Sequence, residues 1–127
     1  MSVQFDPHDR LVVVGAKIWG PLGSANIQLA VDTGATATII RASRLELVGY
    51  DPTSATSHTR VAMGAGVERV PTIVLERIEA LEQERTEMHV LCHTLPPEVI
   101  VDGLLGLDFF RGFSLQIDFH AGRIDLS

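Results

Sequence analysis

Ile27-Gln28-Leu29-Ala30-Val31-Asp32-Thr33-Gly34-Ala35 is an apolar run that ends on an acid. Apolar residues at 27, 29 and 31 alternate with polar or small ones at 26, 28 and 30, the period of a half-buried strand. Ile39 and Ile40 follow. A carboxylate drawn out of water in such surroundings costs several kcal/mol unless it is paired or hydrogen-bonded. Gly34 lets the backbone turn sharply and pass close to another segment. The stretch therefore reads as a strand that delivers Asp32 onto a tight turn.

Working outward, residues 11–19 are rich in Val and Ile and read as a strand. Gly20-Pro21-Leu22-Gly23-Ser24 is a turn that joins it to the Asp32 strand as a hairpin. Residues 37–40 read as a short strand and 42–48 as one or two helical turns, ended by Gly49 and Pro52. Residues 54–59 read as a polar loop. Apolar residues on both sides of Gly64-Ala65-Gly66, within 61–74, mark a hairpin tip. Residues 75–95 fit two templates. Leu75, Ile78, Leu81, Met88, Leu91 and Leu95 fall near helical spacing, whereas Thr86, Met88, Val90 and Cys92 alternate as a strand. Beyond Pro96-Pro97, residues 99–101 lead into Asp102-Gly103-Leu104-Leu105-Gly106. Residues 107–111 suit a short helix closed by Gly112. Phe113, Leu115, Ile117 and Phe119 alternate as a strand, and 123–127 form a last strand after the turn His120-Ala121-Gly122. Residues 1–10 are polar and read as a flexible arm or an edge strand.

Asp32-Thr33-Gly34-Ala35 inside an apolar strand, with Leu104-Leu105-Gly106-Leu107-Asp108 some seventy residues on, resembles the retropepsin-like aspartic proteases. The tripeptide alone is a modest signal, expected by chance in roughly a few per cent of chains this long. The apolar flanks and the second apolar-apolar-Gly block strengthen it, and the likeness runs from about Leu11 to Leu126. It implies an all-β fold, a closed β-barrel or sandwich with one short C-terminal helix, over residues 1–127 as a single domain. It also favours two antiparallel strands for 75–95, joined by a charged turn near Gln83-Glu84. The hairpin tip becomes a flap that closes over substrate, with Met63, Gly64, Ala65 and Gly66 beside Ala35 as substrate-binding positions. Leu104, Leu105 and Gly106 become the block that packs behind the catalytic turn. Viral members carry a basic residue soon after that glycine. Leu107 and Asp108 stand there instead, which weakens any viral-type contact from that helix to a partner.

Hydrolysis of a peptide bond without metal or covalent intermediate needs one group to activate water and another to protonate the leaving amine. Two carboxyls about 3 Å apart share one proton because both cannot be ionised together. This chain has one Asp-Thr-Gly, and Asp102, Asp108 and Asp118 lack the turn residues that follow Asp32. The simplest source of the second carboxyl is Asp32 of a second copy across a two-fold axis. The expected protein is a homodimeric aspartic endopeptidase, with Asp32 from each subunit, Thr33 bracing the pair through its hydroxyl and Gly34 allowing the close approach. In the family the chain ends form a shared sheet. Ile124 to Ser127 suits that role better than the polar N-terminus. The expected substrate is an extended polypeptide bound as an added strand, with apolar groups flanking the cut given Met63 and Val67 on the flap.

The 127 residues are enough for one domain with a real core. An apolar fraction of 46% is ordinary for a globular protein, and no apolar run approaches a membrane span. The N-terminus lacks a basic region followed by an apolar core, so a cytoplasmic location is the default. Cys92, the one cysteine, fits a reducing compartment. A net charge of −6 without a basic cluster argues against nucleic acid and membrane surfaces. Doubled in a dimer, it also disfavours strongly acidic substrates. No cofactor or metal is expected. His89 and His93 would share a helix face and could take zinc, but no second ligand pair stands out.

Blander readings exist for each feature. Asp-Thr-Gly suits a turn-capping aspartate. A phospho-aspartate would want a following acid or Lys and a phosphate-binding glycine loop, neither of which is present. Cys92, Trp19 and the five Phe residues read as core. The competing functional class is a non-catalytic module of the same fold, serving dimerisation or peptide binding.

Overall fold

The structure, a computed structural model, describes residues 2–63, 66–93, 95 and 98–127, with the Met63 side chain outside that set. The elements in chain order are β1 (Ser2–Gln4), β2 (Val13–Gly20), β3 (Gly23–Val31), β4 (Ile39–Arg41), α1 (Ala42–Leu47), a 3₁₀ turn (Pro52–Ser54), β5 (Ser57–Met63), β6 (Gly66–Ala80), β7 (Gln83–His93), β8 (Gly103–Leu105), α2 (Leu107–Phe110), β9 (Leu115–Asp118) and β10 (Arg123–Leu126). The order in the main sheet is β2-β3-β8-β4-β7-β6-β5, and β2 also pairs β6. That extra pairing, Ala16↔Ala80 to Trp19↔Arg77, closes six of the strands into a barrel. The first half of β6 leaves the barrel and pairs β5 from Ser57↔Thr72 to Met63↔Gly66.

Side chains at alternate positions fill the barrel. Ile18, Ile27, Leu29, Ile40, Leu75, Ile78, Leu105 and Phe109 are fully buried, each contributing about 2 kcal/mol by removal from water. Helix α1 adds Leu45 to this core. It ends in a double backbone closure: Gly49 N–H donates to Glu46 O and Tyr50 N–H to Leu45 O, with Gly49 at φ +101°. Tyr50 then ties the end of β2 to the middle of β6. Its hydroxyl donates to Trp19 O at 2.9 Å and accepts from Glu76 N–H at 2.8 Å.

Within 75–93 the chain forms antiparallel strands, β6 up to Ala80 and β7 from Gln83, and the cause of the helix-like spacing is visible. Buried positions on β6 run 73, 75, then 78, 80, so the inward face switches across Glu76. The register to β7 is the same on both sides, Leu75↔Met88 and Arg77↔Thr86. Between them Glu87 takes φ +50°, and Glu76 N–H donates to Tyr50. Both strands change face together, which turns a period of two into a spacing of three at Leu75 and Ile78. The turn is Leu81-Glu82, both with positive φ, two residues before the expected Gln83-Glu84.

Other boundaries also moved. β4 begins at Ile39, not 37, because residues up to Thr38 belong to the loop after Asp32. Half of the expected polar loop at 54–59 is strand β5. β9 is shorter than the apolar alternation. Phe119 lies past its end at 64% exposure and stacks edge-on against Phe5. Trp19 is half-exposed as well, its ring covered by the cations of Arg77 and Lys17 rather than by the core. Cys92 is buried.

Of the N-terminal residues 1–10, residues 2–4 form an edge strand. The second sheet has the order β1-β10-β9, so both flanks of β10 are filled by its own chain. The expectation that Ile124 to Ser127 pairs with a partner is corrected on that ground. Among the described residues the open edges of this second sheet lie on β1 and β9. No helix among the described residues is long and apolar enough to cross a membrane.

Candidate active site

Asp32 follows β3 directly, and its backbone is fixed from two sides. Val31 N–H donates to Val12 O at 2.8 Å and Asp32 N–H to Leu105 O at 3.0 Å. Strand β8 lies between β3, which enters the turn, and β4, which leaves it. It runs parallel to β3 (Val31↔Leu105) and antiparallel to β4 (Ile39↔Leu104). Residues 32–38 therefore arch over the exit of β8.

That passage leaves no room for side chains. A Cβ on Gly103 would sit 1.9 Å from Ile39 O, and one on Gly106 2.7 Å from Ala37 O and 2.9 Å from Ala35 O. Glycine at both positions lets the two backbones touch. Leu107 N–H then donates to Ala35 O at 2.9 Å, locking the start of α2 to the arch. Leu105 is fully buried behind it.

Within the turn, Gly34 N–H donates to Asp32 Oδ1 at 2.9 Å and Ala35 N–H to Asp32 O at 3.2 Å. The second carboxylate oxygen has no hydrogen-bond donor among the described residues. Asp32 is half-buried, whereas Thr33 and Gly34 are exposed. The turn thus presents its carboxylate, a hydroxyl and a bare backbone at the surface.

The other aspartates that might have supplied a second carboxyl are committed elsewhere. Asp102 accepts from Gln28 N–H at 2.8 Å and from Arg44 Nε at 2.9 Å. Asp108 takes Thr38 N–H and its hydroxyl. Asp118 caps the turn before β10, taking His120 and Ala121 N–H at 2.9 Å each.

Sequence reasoning missed the Thr38–Asp108 pair and Arg41. The Arg41 guanidinium collects the carbonyls of Leu95, Val99 and Val101 at 3.1, 2.8 and 3.0 Å, pinning that segment to β4. An Arg directly after Ile39-Ile40 in a buried strand was the available signal.

One cleft borders the turn, and a second lies beside the start of β2. The first, of ≈ 330 Å³, lies between residues 34–39 and the edge of β5 at Thr59–Ala62, with Leu91 at its base. The other, of ≈ 580 Å³, is lined by Leu11, Val13, Val99 and Ile100 with Asp9, Arg10 and Glu98, and by no residue of the turn. Of the flap positions, Gly66 opens β6. Gly64, Ala65 and the Met63 side chain lie outside the described residues. Val67 does not face the cleft. It sits on the hairpin face opposite buried Val70, 58% exposed.

His89 and His93 are on strand β7, where a separation of four residues is about 13 Å and precludes a shared metal ion. Among the described residues no three His, Cys, Asp or Glu side chains gather into a metal-binding group.

A closed barrel with an Asp-Thr-Gly turn arched over an apolar-apolar-Gly strand is a retropepsin-like arrangement. Residues 21–112 match the family model described as "gag-polyprotein putative aspartyl protease". The chain belongs to this retropepsin-like aspartic protease family. Among solved structures it is similar to a retropepsin-like aspartic protease from Rickettsia conorii. The TM-score is 0.72 at 20% identity, covering 99% of this chain and 88% of that one, a likeness of fold. A search of curated proteins found no match.

Proposed function

We propose that the chain is an aspartic endopeptidase that works as a homodimer, with Asp32 of each copy forming the catalytic pair. The observation that carries this reading is the Asp32 turn. One carboxylate oxygen is held by Gly34 N–H, the other is free of donors among the described residues, and the flanking Thr33 and Gly34 are exposed. The commitment of Asp102, Asp108 and Asp118 to other partners supports a second copy as the source of the second carboxyl.

Two Asp32 carboxyls brought within about 3 Å hold one proton between them. The ionised partner takes a proton from water as that water attacks the scissile carbonyl. The protonated partner donates to the developing oxyanion, and the proton removed from water goes to the leaving amine. Thr33 braces the pair across the two-fold axis, and Gly34 allows the copies to approach. Leu104, Leu105 and Gly106 hold the arch from behind. Ala35, Met63, Gly64, Ala65 and Gly66 border the bound chain.

The substrate is an extended polypeptide. Among the described residues β5 has no neighbour on its outer side, and that edge borders the 330 Å³ cleft beside the Asp32 turn. A peptide there adds as a strand, with backbone hydrogen bonds giving affinity and alternate side chains giving selectivity. Residues 1–127 act as one protease domain on this reading, without a cofactor.

Mixing tests it. Wild type is titrated with Asp32→Asn at constant total protein, and hydrolysis of a denatured protein is followed. Mixed dimers hold one Asp32 each, so activity falls as the square of the wild-type fraction. A linear fall means that one subunit suffices and contradicts the shared pair.

A further inference from the structure

We infer that the outer face of the β5–β6 hairpin selects a polypeptide substrate with an acidic side chain next to its cut site, through Arg60 and Arg69. This rests on the protease reading and names part of its substrate class. Arg60 and Arg69 stand directly opposite one another in the β5–β6 ladder. Like charges in that position repel. Neither has a carboxylate partner among the described residues, whereas Arg44, Arg77 and Arg123 are each ion-paired. The neighbouring acid, Glu68, points to the other face and contacts His93. With His58 and Val67, the two arginines line a groove of ≈ 590 Å³.

Register turns this groove into a specificity element. Arg60 lies on the open edge strand, and it borders both the groove and the cleft beside Gly34 to Ala37. In a sheet, residues directly opposite one another place their side chains on the same face. A substrate strand added to β5 puts the residue opposite Arg60 in line with Arg60 and Arg69. A Glu or Asp there meets two guanidinium groups and relieves their repulsion. The chain's net charge of −6 repels acidic polypeptides as a whole. The groove therefore selects one acidic position within an otherwise apolar or neutral segment.

Charged residues on an edge strand can also serve only to block unwanted pairing, and in that case the charge of the substrate has no effect. The test uses labelled decapeptides with an apolar centre and one Glu moved through successive positions, each matched by a Gln peptide. Wild type should show one position at which Glu raises kcat/KM over Gln by about three- to tenfold, the range of an exposed charge-assisted contact. The ratio should fall towards one in Arg60→Gln/Arg69→Gln and at high salt. Arg60→Glu/Arg69→Glu should prefer Lys at that position. Equal rates for Glu and Gln throughout, or the same preference in the Gln variant, overturn the inference. If wild type cleaves nothing, the protease reading fails separately. Affinities of the same peptides for Asp32→Asn then decide the groove: a Glu-over-Gln preference lost on the arginine substitutions supports it, and no preference or no binding refutes it.

Discussion

Asp108 holds Thr38 by three hydrogen bonds: the Thr38 backbone N–H at 3.0 and 2.9 Å to its two oxygens, and the Thr38 hydroxyl at 2.7 Å. The same hydroxyl oxygen accepts Gly106 N–H at 3.1 Å. One fully buried side chain thereby links the end of the Asp32 arch to the glycine beneath it and to the first turn of α2. Thr38→Val keeps the shape and the backbone bonds to Asp108 but removes both hydroxyl bonds, leaving Gly106 N–H buried without a partner. The expected loss is about 2–3 kcal/mol, read as a lower denaturant midpoint at unchanged m-value. Thr38→Ser keeps the hydroxyl and should lose less than half of that.

The close passage of β8 under the arch makes a sharper contrast. Gly103→Ala sets a methyl carbon 1.9 Å from the Ile39 carbonyl, a backbone atom that cannot swing aside. It should cost on the order of 3 kcal/mol or more. Gly112, at φ +84° with open space around it, meets only backbone strain. Gly112→Ala should cost about 1–2 kcal/mol. Equal thermal shifts for the two variants would contradict the described fit of β8.

Acid weakens two surface turns. Hydrogen bonds from the Ala121 and His120 N–H groups, aided by Arg123 and His120, hold the Asp118 carboxyl below its ordinary value of 3.8. The Thr53 hydroxyl and N–H do the same for Asp51. A depressed folded-state value means stabilisation that is present above about pH 4 and lost as pH falls through the folded value. Both groups are exposed, so the effect is modest. The thermal midpoint of wild type should drop on going from pH 5 to pH 3, and by less in Asp51→Asn/Asp118→Asn. An unchanged drop would contradict it. The comparison also separates acid unfolding from acid activity in any protease assay.

The Cys92 thiol is raised above its ordinary value of 9.0, first by burial and then by the negative charge of Glu46. It stays protonated at neutral pH and packs as a small apolar group. Native protein should react with iodoacetamide at least about a hundredfold more slowly than protein in guanidinium. Fast alkylation of native protein would show that the end of β7 opens.

The Asp32 turn and the Leu104-Leu105-Gly106 strand were legible because each couples an apolar alternation to a glycine with a steric reason to be there. The hairpin with Gly20 and Gly23 at its ends was legible for the same reason. Residues 75–95 were harder, because Glu76 and Glu87 switch face together and disguise the period. Phe119 and Trp19 were misplaced, since an aromatic residue carries no mark of whether cations or core atoms will cover it. The Thr38–Asp108 link joins residues seventy apart, and only the topology brings them together. The filling of both flanks of β10 likewise depends on strand order, which no local pattern encodes.

The most direct measurement is digestion of a denatured protein mixture from acid to neutral pH by wild type beside Asp32→Asn, with cut sites read by mass spectrometry. The account predicts cuts by wild type only, at a rate rising faster than linearly with enzyme concentration where dimers dissociate. Equal cutting by Asp32→Asn, or silence at every pH from a sample shown to be dimeric and folded, would contradict it and favour a non-catalytic binding module.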